Sequence, residues 1–256
     1  MSLILTLLGI SIALQVILFI PAYLLKTDKL TDMGYGLTFI FLGLIFLLRG
    51  QITGDKLLLF GMILAWGLRL IIYLLIRVIK VGKDARFDQI RGSFTKFLTF
   101  WVGQGFSVWV IMLPTLIYLN SDTSGLGTLS FIGFFVWGFG LVIETVADFQ
   151  KFRFKNNPKN KGKWIQSGLW KYSRHPNYFG EVLCWAGVYT YCLNYLSGLN
   201  ALIGLVSPVF ITSLLLFVTG IPKLEERHDK KYGDKKEYQE YKRKTSKLIL
   251  WPPKKK

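Results

Sequence analysis

Cysteine is nearly absent. The two present, Cys184 and Cys192, lie inside one apolar run and read as small apolar side chains, so no disulfide framework stabilises this chain. Histidine is equally scarce, at two, and no group of ligating side chains has metal-binding spacing, so no metal is expected. Acids are few as well: 15 Asp and Glu stand against 32 Lys and Arg, for a net charge of +17. Such an excess suits nucleic acid, but here the cations fall in blocks between long apolar runs. That is how a membrane protein distributes Lys and Arg, and a nucleic-acid partner is not expected.

What is abundant is apolar. Hydrophobic residues make up 52% of the chain, including 20 Phe, 12 Tyr and 8 Trp, and the mean hydropathy is +0.38. A bilayer core of about 30 Å needs roughly 20 apolar helical residues. Seven runs meet or approach that length: Met1–Leu25, Gly34–Leu48, Leu57–Ile76, Phe97–Leu119, Leu129–Ala147, Phe179–Leu196 and Leu199–Ile221. The first has no basic n-region and no small-residue cleavage site, so it reads as a retained helix. Arg49 closes the second and snorkels to the interface, and Asp32 before it reads as a helix N-cap. The expected fold is an all-α integral membrane protein of about seven transmembrane helices, with cytoplasmic loops forming a pocket.

The cations orient the runs. Between the third and fourth lie Arg77, Lys80, Lys83, Arg86, Arg91 and Lys96; between the fifth and sixth lie eight basic residues from Lys151 to Arg174 and no acid. Lys26, Lys29 and the tail from Lys223 fall on the same side, while the opposite side receives Arg49 and Lys56. The positive-inside rule then places the N-terminus outside and the C-terminus in the cytoplasm, in a bacterial inner membrane or an endoplasmic reticulum membrane. Membrane lipids are therefore expected partners, and an inward pocket can draw an anionic cofactor from water and a hydrophobic small molecule from the bilayer.

Ionisable groups inside apolar runs are costly and informative. Glu144 and Asp148 stand four apart on one helical face, which Lys151 and Lys155 continue. Arg69 sits mid-run and needs a carboxylate; Glu144 is the expected partner in a structural ion pair. The densest chemistry is in Gly168-Leu-Trp-Lys-Tyr-Ser-Arg-His-Pro-Asn-Tyr-Phe-Gly-Glu181. Arg174 offers a planar fork for phosphate or carboxylate, His175 titrates near neutral pH, Asn177 and Tyr178 supply neutral hydrogen bonds, and Glu181 stands in an apolar run. A helix starting at Pro176 or Asn177 would aim its positive end at an anion held by Arg174.

The Arg174–Glu181 run with its Gly-Leu-Trp-x-Tyr-Ser lead-in resembles the C-terminal domain of the steroid 5-alpha-reductase superfamily, nearest to its bacterial-type branch of unknown function. The resemblance extends to Trp66–Arg69, Lys83–Phe87 and Ala147–Lys151. The tail, from Glu225-Glu226 through Tyr232-Gly233, Tyr238, Tyr241 and Pro252, is similar to that of isoprenylcysteine carboxyl methyltransferases, which share the architecture and an Arg-His-Pro-x-Tyr motif.

The reductase resemblance implies NADPH held by cytoplasmic loops. The expected cofactor-binding set is Asp148, Lys155, Tyr172, Arg174, His175, Asn177, Arg227 and Tyr238; the catalytic set is Glu181, which matches the reductases' acid near the nicotinamide, with Tyr178 or Tyr73 as the candidate in place of their catalytic Tyr. Two departures stand out. Trp66 occupies the position of the reductases' catalytic Tyr, and the second helix has no Gln-Glu pair, only Asp32 and Tyr35 nearby. The expected activity is an NAD(P)H-dependent oxidoreductase of lipid metabolism acting on a C=C bond of a lipid-soluble substrate, whether sterol-like, isoprenoid or fatty acyl. The first alternative is an S-adenosylmethionine-dependent membrane methyltransferase, with Glu225 and Glu226 closing its site. The second is a lipid-binding member of the fold that has lost the chemistry. The expected organisation is one membrane domain over 1–256, with a three-helix part at 1–96, a reductase- or methyltransferase-like part at 97–256 and a cytoplasmic tail at 222–256.

Overall fold

Where lipid offers no hydrogen bonds, a backbone must satisfy its own, and the apolar runs fold accordingly as helices. The computed structural model describes residues 2–81, 87, 88 and 90–254. Its main helices are α1 (Ser2–Leu24), α2 (Lys29–Arg49), α3 (Gly54–Val81), α4 (Phe94–Leu119), α5 (Thr128–Lys155), α6 (Pro176–Cys192), α7 (Gly198–Ser213), α8 (Ile221–Tyr232) and α9 (Lys236–Lys244). Among the described residues there is no strand, only an isolated parallel bridge between Ser173 and Ser246. The protein is an all-α integral membrane protein, and six helical stretches among the described residues are long and apolar enough to cross a bilayer: α1 to α5, and Gly198–Tyr232, which runs through α7 and α8.

Three expectations change. The sixth run is a helix of only 17 residues, about 25 Å at 1.5 Å per residue, so by length and composition the count is six rather than seven. The second run is longer than its apolar core, because Lys29–Met33 join the helix; Asp32 lies inside α2 and the capping position falls to Asp28. The side chain of Asp32 lies outside the described residues, as do Lys83–Arg86 of the third loop. The seventh run does not reach Ile221 as one α-helix: α7 widens into a π-turn at Leu214–Val218, and Gly220 then separates it from α8.

The chain forms two compact units, 1–131 with 188–207, and 132–187 with 208–256. In the first, Gly105 lets α4 run close to α1: a Cβ there would lie 3.1 Å from the Ile12 Cα, and Ser11 donates to the Gly105 carbonyl at 2.8 Å. One end of this unit packs Phe19, Phe87, Phe97 and Trp101 together. Near the other, the ammonium of buried Lys56 donates to the Ser121 carbonyl at 2.5 Å, the Tyr118 hydroxyl donates to the Asp55 carboxylate, and Tyr191 donates to the Asp55 carbonyl at 2.7 Å. These partners keep buried charge satisfied.

The second unit is built on a glycine seam between α5 and α6. A Cβ on Gly140 would meet the Gly180 carbonyl and the Cys184 nitrogen at 2.7 Å, and one on Gly180 would meet the Glu144 nitrogen at 2.6 Å. Small residues permit this approach, which supplies van der Waals packing where lipid weakens the hydrophobic drive between helices. Because the obstructing atoms are backbone, Gly140→Val or Gly180→Val must push the helices apart. Overpacking of this kind destabilises by about 1–3 kcal/mol or more, so both variants should melt several degrees below the parent in detergent. Gly138→Val, where nothing lies within 4 Å, should melt with the parent; equal melting of all three would refute the seam.

Candidate functional site

The site lies within the second unit and starts where α5 turns from apolar to basic. Past this helix the chain returns to it: the Leu169 N–H donates to the Gln150 side-chain oxygen at 3.0 Å, and the Trp170 indole donates to the Ala147 carbonyl at 3.0 Å. Gly168 is required at this return. Its φ is +60°, and a Cβ would lie 2.5 Å from the Gln150 amide. The Lys151 ammonium sits 4.7 Å from the Trp170 ring centroid, a cation–π contact.

Arg174 and His175 come next, immediately before α6. The anion they hold is the chain's own Glu225, from the first turns of α8. Arg174 Nη1 lies 2.5 Å from one carboxylate oxygen and His175 Nε2 lies 2.9 Å from the other. Lys242 of α9 reaches the same carboxylate at 3.4 Å and Asp229 at 2.7 Å. Tyr241 donates to the Trp170 carbonyl at 2.7 Å and Tyr232 to the Lys163 carbonyl at 3.0 Å. Helices α8 and α9 are thereby fastened onto the 156–175 segment.

Between them is a cavity that is partly open to solvent. Lys151, Lys155, Lys163 and Arg174 line it together with one carboxylate, Glu225, and with His228. The remaining wall is mainly aromatic: Trp164, Tyr232 and Tyr238 pack with ring centroids 5.2–5.7 Å apart, beside Phe154, Trp170 and Tyr241. Outside the lining, His175 Nδ1 and Asn177 Oδ1 are buried without a hydrogen-bond partner, and so are two atoms of lining residues, Arg174 Nε and Trp164 Nε1. Buried polar atoms are normally paired, so this set fits a ligand that brings acceptors to two N–H donors.

Of the residues singled out in the sequence, Lys155, Arg174 and Tyr238 line the cavity. His175 stands behind Glu225, with the Tyr178 ring stacked on it at 5.8 Å. Asn177 is in the first turn of α6 and Glu181 in the second, while Asp148 and Glu144 are buried on α5. Tyr172 and Arg227 are exposed and outside the lining. Tyr73, Arg69 and Trp66 belong to α3 in the first unit, where Trp66 packs edge-on against Phe39 at 5.0 Å; Glu144 belongs to the second unit. Sequence reasoning missed Trp164, His228, Asp229 and Lys242. A signal existed for His228, since Glu225, His228 and Tyr232 recur at three- and four-residue spacing on one helical face; none existed for Trp164.

Burial pushes the His175 imidazole below its ordinary value, against the opposing pull of the Glu225 hydrogen bond. The unfolded chain then takes up this proton more readily than the folded one. The stability due to neutral His175 is complete above the unfolded value of about 6.5 and is lost as pH falls through the lower folded value. The His175→Asn variant should therefore show a shallower fall in melting midpoint than the parent from neutral to acid pH. An unchanged slope would mean that the fold leaves the His175 imidazole at its unfolded value.

Over 46 residues the chain is 48% identical to the "Probable O-methyltransferase ustE" of Ustilaginoidea virens, covering 18% of this chain and 16% of that protein. Over 148 residues it is 32% identical to the "Probable 7-dehydrocholesterol reductase" of Acanthamoeba polyphaga mimivirus, covering 50% of this chain and 32% of that protein. The chain thus spans a third or less of the length of these curated relatives. No solved structure matches it. Residues 18–245 match the family described as "Protein of unknown function (DUF1295)", and the chain belongs to that family, a steroid 5-alpha-reductase-like one.

Proposed function

We propose that the protein is a membrane reductase that uses NADPH to reduce a C=C bond of a lipid-soluble substrate. The observation that carries this reading is the charge of the cavity: four cations face a single carboxylate, itself committed to Arg174 and His175. A ligand with a pyrophosphate and a further phosphate complements that wall, because charge-assisted hydrogen bonds to phosphate are the strong ones. Lys151, Lys155 and Lys163 hold the phosphates, Arg174 and Trp164 offer unpaired N–H donors, and the aromatic wall accepts flat rings. Asn177 Oδ1 suits a carboxamide donor. When bound, the cofactor supplies the hydride. The protein supplies the proton: Tyr178 and Glu181, next to the Arg174–His175 turn, are assigned to orient the substrate and protonate it. An indole cannot act as an acid, so Trp66 has no such part.

A methyltransferase reading has its own support, in the O-methyltransferase relative and in an aromatic trio suited to a sulfonium. The cations weigh against it, since S-adenosylmethionine brings cationic groups of its own and one carboxylate. Calorimetric titration of purified protein with NADPH, NADH and S-adenosylmethionine separates the two. NADPH should bind, and Lys151→Ala with Lys155→Ala should weaken it by about tenfold or more, with a reduced salt dependence. Asn177→Ala should weaken binding without altering the salt response. Micromolar binding of S-adenosylmethionine with none of NADPH would transfer the assignment to a methyltransferase.

The orientation belongs to the same reading. Tyr172–Arg174 and the tail are bonded together, so the chain from Pro176 to Gly220 leaves and returns to one side. Since α7 and its π-turn are long enough to cross, this supports α6 as a short seventh crossing, with the cavity in the cytoplasm. Single cysteines at Thr123, Lys159 and Lys254 test it with an impermeant maleimide on intact cells. Position 123 should label, and 159 and 254 only after permeabilisation. External labelling at 159 would reverse the topology.

A further inference from the structure

Residues 245–254 form a strap beside the turn that carries Arg174. The Arg174 N–H donates to the Ser246 carbonyl at 2.8 Å and the Trp251 N–H to the Tyr172 carbonyl at 3.2 Å. Ser173 Oγ donates to the Leu248 carbonyl at 2.6 Å, and the Lys254 N–H to the Lys244 carbonyl at 3.0 Å. The backbone of the strap is thus tied down at four points, yet its large side chains add little to the core. Ile249 is 56% exposed, Trp251 67% and neighbouring Tyr172 40%. Lys171, Lys247 and Lys254 are exposed among them, and residues 245–254 contain no acid.

Position and composition together identify what covers this surface. The strap is bonded to residues 172–174, and α6 starts at Pro176 and becomes apolar from Phe179. One helical turn advances about 5.4 Å, so the strap stands within a turn or two of the level where apolar helix begins. Trp and Tyr interleaved with Lys at that level are the composition of a headgroup interface, where ring bodies enter the acyl boundary and ammonium groups meet lipid phosphates. A tail made only for solubility would not expose Trp and Ile in a fixed backbone.

We infer that the strap, with Lys171 and Tyr172, is a docking surface for an anionic bilayer. Trp251 and Ile249 enter the headgroup boundary, and Lys171, Lys247 and Lys254 pair with acidic lipids. Because the Arg174 N–H is held by Ser246, lipid that fixes the strap also fixes the cavity wall at Arg174. Membrane residence is the only premise; the cofactor class is not one.

The test uses full-length protein without cofactor, in nanodiscs of phosphatidylcholine alone or of phosphatidylcholine with phosphatidylglycerol. Amide exchange over 245–251 should slow several-fold in the anionic discs, and lipids brominated in the upper acyl chain should quench a fluorescence component that Trp251→Phe removes. Lys247→Glu with Lys254→Glu should abolish the lipid dependence. Equal exchange of the parent in both discs, with quenching that Trp251→Phe does not change, would overturn the inference. Protection that appears only on adding soluble protein would do so too. Both decisive comparisons include the parent, so a charge-reversal variant that fails to fold leaves the inference testable. With no cofactor present, the outcome is independent of the reductase assignment.

Discussion

Arg174 and Glu225, held 2.5 Å apart with little exposure, set the positions of much else in the second unit. Removing one member of a largely buried pair leaves an uncompensated charge, and that penalty far exceeds the net contribution of the intact pair. The carboxylate therefore fixes α8 against the turn before α6, and α8 in turn presents His228 and Tyr232 to the cavity. Lys242, bridging Glu225 and Asp229, extends the constraint to α9 and so to Tyr238 and Tyr241. The cavity has no wall from this tail without that carboxylate.

Much of the fold was legible because lipid imposes a coarse code. Apolar length, basic blocks and the Pro176 boundary identified the helices, and α6 does begin at Pro176. What apolar length alone missed was where helices begin and break. Lys29–Met33 are polar enough to hide the first turn of α2, and the break after α7 needs only Gly220 and a widened turn inside an apolar run. At the site, Arg174 and His175 stood out because dense charge beside an apolar run is rare. Their partner Glu225 was read as part of a tail motif that, with Glu226, closes the site of the methyltransferase alternative; its bond to Arg174 was not foreseen, since nothing in the sequence pairs residues 174 and 225. Trp164 was invisible for the same reason: its part is decided by Tyr232 and Tyr238, about 70 residues later in the chain.

The aromatic and cationic halves of the cavity place different demands on a ligand. Rings stack on many flat molecules with little discrimination, whereas a wall of Lys and Arg accepts only a partner with compensating anions. Discrimination among ligands of the cavity therefore rests on Lys151, Lys155 and Lys163 more than on the Arg-His-Pro turn, whose strongest partner is internal.

The strap also fixes an order of events during synthesis. Every helix long enough to span is complete by residue 232, whereas Lys242, Ser246 and Trp251, which fasten the tail to residues 172–174, follow them. Chains fold from the N-terminus as they emerge, so the bilayer receives its helices before Tyr238 and Tyr241 complete the cavity. A nascent chain is thus inserted first and fastened afterwards, and a ribosome that stalls between these two points leaves an anchored protein whose cavity is open on the α9 side.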